Sequence, residues 1–232
     1  MNEILKSARV EQQAVSESEL ALINAQALRP LTAEEVFAFK LAACDNQVDR
    51  DIERFTDRTL DQLAELFVGR PVLRDHNWSA NSQTARVYAG GVEQQGNVKR
   101  LILRCYMPRT EQTVPTITAI ESGILREASV GVAVKRQLCS VCEEDYYSCR
   151  HRRGEEYEGK MCYVDLDEAA EAFEVSLVAV PAQREAGVVK RYEDKESKMS
   201  SPGEGEPAPE DKLRLAQAMQ EQEEKRYGGM EE

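Results

Sequence analysis

The most regular alternation of apolar and small positions along the chain falls at residues 126–134 (REASVGVAV). Side chains in a strand point alternately to its two faces. Val130, Val132 and Val134 therefore share one side, and Ser129, Gly131 and Ala133 the other. The pattern predicts a strand with a thick apolar face and a face stripped to small residues. Glycine inside a strand marks a close approach of another backbone or a ligand, and a serine beside it lies open to an incoming peptide.

The other elements arrange themselves around that strand. Residues 36–43 (VFAFKLAA) predict a first strand. Leu60, Leu63 and Leu66 recur at helical spacing behind a threonine cap over residues 59–67, and Gly69 ends this helix. Residues 70–78 form a short extended segment that runs into a loop. Residues 84–89 predict a strand turned by the glycine pair Gly90 and Gly91, and residues 98–107 a longer strand. Val114, Ile117, Ile120 and Ile124 keep helical spacing, with Gly123 weakening the last turn. A further strand over residues 172–181 is stopped by Pro181.

Three regions follow from this pattern. Residues 1–30 are polar and helix-compatible, and predict an N-terminal arm. Residues 31–191 carry the folded domain, interrupted by a Cys-rich insertion at 139–162. Residues 192–232 open with the linker SSPGEGEP at 200–207 and predict a flexible acidic tail.

Charge narrows the function classes. The formal net charge is −12, and residues 192–232 hold 12 acidic against 6 basic groups, so half of the charge lies in the tail. That balance argues against nonspecific binding to nucleic acid or to an anionic membrane. No apolar run approaches the roughly 20 residues of a membrane helix. The first residues, MNEILK, lack a signal peptide's basic and apolar regions. The expectation is an intracellular protein.

Of six cysteines, Cys44 and Cys105 sit in apolar runs and read as small buried hydrophobes. The other four cluster with a histidine as Cys139-x2-Cys142-x6-Cys149-x-His151-x10-Cys162. Inside a cell such clustering points to metal before disulfides. The loop is too polar to fold unaided, so structural zinc is expected to stabilise it. The preferred ligands are Cys139, Cys142, Cys149 and Cys162, with His151 the alternate for either of the last two.

A serine nucleophile needs a base, and histidine serves because its pKa lies near neutrality. The chain has two histidines. His151 lies among the cysteines, which leaves His76 for Ser129.

Three segments in order carry a resemblance: GRPVLRDH at 69–76, ASVGV at 128–132 and EVSLVAVPA at 174–182. Together they resemble the prohead, or capsid maturation, serine proteases of tailed phages. That family is related in fold to herpesvirus assemblin. The resemblance implies an α+β fold, a mainly antiparallel β-barrel flanked by helices; the small zinc-knuckle insertion read from the cysteine spacing departs from the simplest members of that family. The same resemblance implies His76 as base and Ser129 as nucleophile. For the third member Glu174 is preferred and Asp75 is the alternative. Taking out the 24 residues of the insertion shortens the interval from Ser129 to Glu174 from 45 to 21. A carboxylate on an apolar strand is costly unless paired.

The implied function is an endopeptidase acting in the host cytoplasm, inside the procapsid. It would cleave scaffold and the N-terminal segment of the major capsid protein, with the portal protein as a further substrate. Neither nucleic acid nor membrane is an expected partner, no cofactor is needed for catalysis, and a homo-oligomer fits the reading. The alternative is a non-catalytic assembly or scaffold protein of the same fold with a structural zinc loop.

Overall fold

The computed structural model describes residues 15–180, 182, 183 and 186–188. The predicted tail with its linker, residues 192–232, and residues 1–14 of the predicted arm lie outside these residues. Ten strands and three α-helices are described: α1 (Glu17–Asn24), β1 (Val36–Asp45), β2 (Glu53–Phe55), α2 (Asp57–Leu66), β3 (Pro71–Arg74), β4 (Ala85–Gln95), β5 (Val98–Pro108), α3 (Val114–Glu121), β6 (Ala128–Cys139), β7 (Glu156–Tyr157), β8 (Lys160–Met161), β9 (Val164–Leu177) and β10 (Gly187–Val188).

Hydrogen bonding runs β10-β1-β5-β4-β3-β9, and β6 pairs with the far edge of β9. A bridge between Glu127 and Gly187 then joins the entry to β6 with β10 and closes a seven-stranded barrel. Gly187 has no room for a side chain there, because a Cβ would overlap Arg126 O. The barrel is mixed: β9 runs parallel to β3 and β2, and the other barrel pairs are antiparallel. The expected α+β barrel with flanking helices is present, with parallel pairing at β9. The interior is filled by Phe37, Phe39, Leu41, Leu101, Leu103 and Met107 from β1 and β5, with Leu60, Leu63 and Phe67 from α2.

Several local readings change. The cap of α2 is Thr56, whose Oγ1 accepts from Thr59 N–H, so the helix begins before the predicted Thr59. Gly90 and Gly91 make no turn. β4 runs straight through them, and a Cβ on Gly90 would overlap Ala64 O of α2. The glycine is there for close helix–strand packing, and the turn comes at Gly96 and Asn97, between the paired residues Gln95 and Val98. Gly123, at φ +76°, ends α3 in the left-handed conformation common after a helix C-terminus. β9 starts at Val164, well before the predicted residue 172, because its first half pairs with both β2 and β6. Within the predicted arm, α1 is closed by a capping box from Ser16 and Glu19. Its Ile23 is fully buried in a satellite core with Val36, Tyr88 and Tyr106.

Candidate functional site

β3, β9 and β6 lie side by side in that order, and each delivers one part of the site. On β9, Glu174 and Ser176 are two residues apart and so share a face. In the β6–β9 register Ser129 stands opposite Ser176, and Gly131 opposite Glu174. From the other side Leu73 of β3 pairs with Ser176. His76 follows two residues beyond the end of β3.

The chain turns sharply to place His76. Asn77 N–H donates to Arg74 O at 2.9 Å, and the two central residues, Asp75 and His76, have φ of 53° and 52°. Positive φ at both central positions is the type I′ requirement. For residues other than glycine this conformation costs on the order of 1 kcal/mol each. Four contacts hold it. Asp75 N–H continues the ladder to Leu177 O, and Asn77 closes the turn. His76 N–H donates to Ser176 Oγ at 3.1 Å, and His76 Nδ1 meets Glu174 Oε1 at 2.7 Å. Arg74 also hydrogen-bonds the buried Thr116 of α3, which steadies the strand end just before the turn.

Glu174 is 1 % exposed. Its Oε2 accepts the Ser176 hydroxyl proton at 2.5 Å, so both carboxylate oxygens are bonded. With Ser176 donating to Glu174 and accepting from the His76 backbone, all three groups are mutually satisfied. A carboxylate accepting at Nδ1 places the ring proton there and leaves Nε2 as a lone pair. Asp75, the alternative partner, is exposed. Ser176, fully buried, belongs to the site as well. Its signal is the i, i+2 spacing from the one carboxylate in the apolar second half of β9, residues 172–177.

Gly131 is required for this packing. A Cβ there would lie 2.5 Å from Glu174 Oε1. The stripped face of β6 thus makes room for the carboxylate. Ser129 is half-buried and forms no hydrogen bond to His76. It opens instead on a cleft of about 340 Å3 shared with Gly131, Asp49, Asp51, Glu53 and Gln183. His76 does not line this cleft; it reaches Glu174 from the β3 side. Between Ala128 and Gln137 the second edge of β6 has no ladder partner among the described residues, so backbone groups beside Ser129 remain open.

A second cluster sits at the opposite end of the same strand pair. Sγ of Cys139, Cys142 and Cys149 and a ring nitrogen of His151 all lie within 4.8 Å of one another. Cys162 Sγ is 3.8 Å from Cys139 Sγ, and His151 Nδ1 is 3.5 Å from it. With Zn–S near 2.3 Å and Zn–N near 2.0–2.1 Å, tetrahedral edges are about 3.8 Å for S–S and about 3.5 Å for S–N. The Cys139–His151 spacing matches such an edge, the Cys139–Cys162 spacing matches another, and the Cys3His cluster could hold a thiophilic ion. His151, the predicted alternate, belongs to the mutually close set, while Cys162 touches it through Cys139. All these cysteines are free thiols.

Burial opposes the Cys139 thiolate, but the backbone N–H groups of Cys142 and Val141 and the Cys142 and Cys162 side chains bring its pKa down to about 6. Burial, then the neighbouring Cys139, pushes Cys162 up to about 11. Of these two thiols Cys139 is the more readily deprotonated. Cys44 and Cys105 lie in the core, as expected, with their thiols pushed far up by burial.

No helix among the described residues is long and apolar enough to cross a membrane. No protein-family model, curated protein or solved structure matches the chain.

Proposed function

We propose that the chain is a serine endopeptidase in which Ser129 is the nucleophile, His76 the base and Glu174 the orienting carboxylate. The observation that carries this reading is the buried Glu174 carboxylate, bonded to His76 Nδ1 and packed against the glycine two residues from Ser129. A buried carboxylate that fixes an imidazole tautomer one strand away from an open serine is the arrangement nucleophilic acyl transfer needs. Ser129 and His76 are not hydrogen-bonded without substrate, and such contacts commonly tighten only in the complex.

In the reaction Ser129 Oγ attacks the scissile carbonyl while its proton passes to His76 Nε2. Glu174 accepts the Nδ1 hydrogen bond and balances the imidazolium. The tetrahedral intermediate collapses, the C–N bond breaks, and His76 returns the proton to the leaving amine. Water then attacks the acyl-enzyme with His76 again as base, which releases the acid and regenerates Ser129. The open edge of β6 offers backbone groups to an extended substrate.

The resemblance to prohead proteases extends the proposal to its setting: scaffold, major capsid protein and portal protein as substrates inside a procapsid, on an assemblin-like barrel. The Cys/His cluster is read as a structural zinc site, with Cys139, Cys142, Cys149 and His151 as ligands and Cys162 in reserve. Co-expression with the capsid protein tests the protease reading. Intact mass should show processed capsid protein with the wild type and none with Ser129→Ala. Processing that survives Ser129→Ala leaves the non-catalytic assembly protein as the reading.

A further inference from the structure

We infer that metal at the Cys/His cluster sets the register of β6 against β9, and so holds Ser129 opposite Ser176 and Gly131 opposite Glu174. The inference rests on strand pairing and makes no use of proteolysis.

In an ordinary hairpin a tight turn of defined length fixes the register. Here β6 and β9 are joined by residues 140–163, most of which belong to the Cys-rich insertion. A connection of that length specifies no register by itself. The ladder gives little help, because it carries two irregularities, between Gly131 and Val132 and between Ala133 and Val134. At each of them β9 has one extra residue, Phe173 and then Ala170. A pairing with two bulges has close competitors in which one bulge is lost or moved. A one-residue slip sends every following side chain to the opposite face, and it would turn Ser129 and Gly131 of β6 away from Ser176 and Glu174.

The cluster occupies the position where a turn would act. Cys139 is the last residue of β6 and pairs with Val164, the first residue of β9. Cys142 follows one short turn later, with Val141 N–H pointing at Cys139 Sγ. Ser140 N–H donates to Tyr163 O, and Tyr163 N–H donates to Ser140 Oγ, which locks the two strand ends together. Cys162 adjoins the start of β9 and meets Cys139 through sulfur. Its backbone also binds the His151 side of the loop: Gly154 N–H donates to Cys162 O, and Cys162 N–H to Glu155 O. An ion held by Cys139, Cys142, Cys149 and His151 closes the connection as far as residue 151, and the hydrogen bonds of Cys162 with Gly154 and Glu155 carry that closure to the start of β9, as a tight turn would. The alignment made there is read out at the far end of the strands, at Ser129 and Glu174.

The test is hydrogen exchange followed by mass spectrometry on the full chain, loaded with zinc chloride and then stripped by a chelator. The zinc-loaded protein should contain one zinc. Stripping should speed exchange in residues 128–139 and 164–177 at least tenfold and leave residues 36–45 and 98–108 unchanged. Equal rates in the loaded and stripped protein, or no zinc bound after loading, overturn the inference. If stripping unfolds the whole barrel, a second variant decides: residues 141–162 replaced by Asn-Gly, which supplies a two-residue turn and leaves Cys139 as the sole cysteine of the cluster. Without metal, this variant should protect both strands as the zinc-loaded chain does. Fast exchange in its two strands would show that closing the connection does not set the register. Because no readout involves cleavage, these outcomes stand apart from the Ser129→Ala result.

Discussion

Replacing Gly131 by alanine probes the candidate site with a single methyl group. The new Cβ would stand 2.5 Å from Glu174 Oε1 and 3.3 Å from its Cδ. Ordinary contact begins near 3.5 Å, so the overlap is roughly 1 Å. Glu174 has no free direction in which to yield, because Oε2 is held by Ser176 and Oε1 by His76. Overpacking of a tight site costs about 1–3 kcal/mol, and loss of a hydrogen bond to a charged group about 1.5–3 kcal/mol. A total near 3 kcal/mol corresponds to a fall in Tm of about 6–12 °C for a domain of this size. Gly91→Ala is the control, since nothing lies within 4 Å of its added Cβ; it should change stability by no more than about 0.5 kcal/mol. Thermal unfolding by circular dichroism measures both variants. Nitrogen-15 NMR of the two histidine rings reports the Nδ1 hydrogen bond of His76, which Gly131→Ala should weaken or abolish. If Gly131→Ala melts with the wild type and leaves the His76 signals in place, Glu174 is not confined by β6 and the packing argument fails.

Other variants separate the roles of the remaining groups. Glu174→Gln should lower peptide cleavage by about 10²-fold or more, through loss of the tautomer and of the charge opposite imidazolium, measured as kcat on a capsid-derived peptide; full activity would remove Glu174 from the mechanism. Ser176→Ala leaves Glu174 Oε2 and His76 N–H without their partner, a cost of about 1–3 kcal/mol, and should reduce turnover less than Glu174→Gln does. Thr56→Ala removes the α2 cap and the hydrogen bond to Asp167, and should cost about 1 kcal/mol in chemical denaturation. Cys139→Ser and Cys142→Ser should each lose bound zinc by metal analysis and lower Tm, whereas wild type retains about one ion per chain.

Period-two alternation made β6 legible because its two faces differ so strongly in side-chain size. Glu174 was legible as a carboxylate on an apolar strand, and His76 because the only other histidine sits among cysteines. What escaped the sequence depends on distant backbone. Nothing local to Gly90 announces Ala64 across the helix–strand gap, so a packing glycine looks like a turn. Thr56 and Thr59 offer the same cap chemistry one turn apart, and only the hydrogen bond from Thr59 N–H distinguishes them. The early start of β9 is hidden because residues 164–171 (VDLDEAAE) are acidic. Their charges are met by Arg54, Arg136, Lys135 and Arg58 from neighbouring elements. Ser176 was unremarkable until the turn at His76 brought a backbone N–H to its hydroxyl.

The closure of the barrel at β10 also bears on how the chain survives its own synthesis. β1 is made early, and eight of its ten residues are apolar, but among the described residues one of its edges is paired in the sheet only with Gly187 and Val188. Chains emerge and fold from the N-terminus, and pairing between residues so far apart in sequence is slow to form. Until residue 188 leaves the ribosome, β1 therefore presents an unpaired apolar edge, the kind that templates association with other chains. A polypeptide cut short after β9 would hold His76, Ser129 and Glu174 and still lack its closing strand. Such fragments should collect as insoluble aggregate, and a premature stop in this stretch would leave no partly active product.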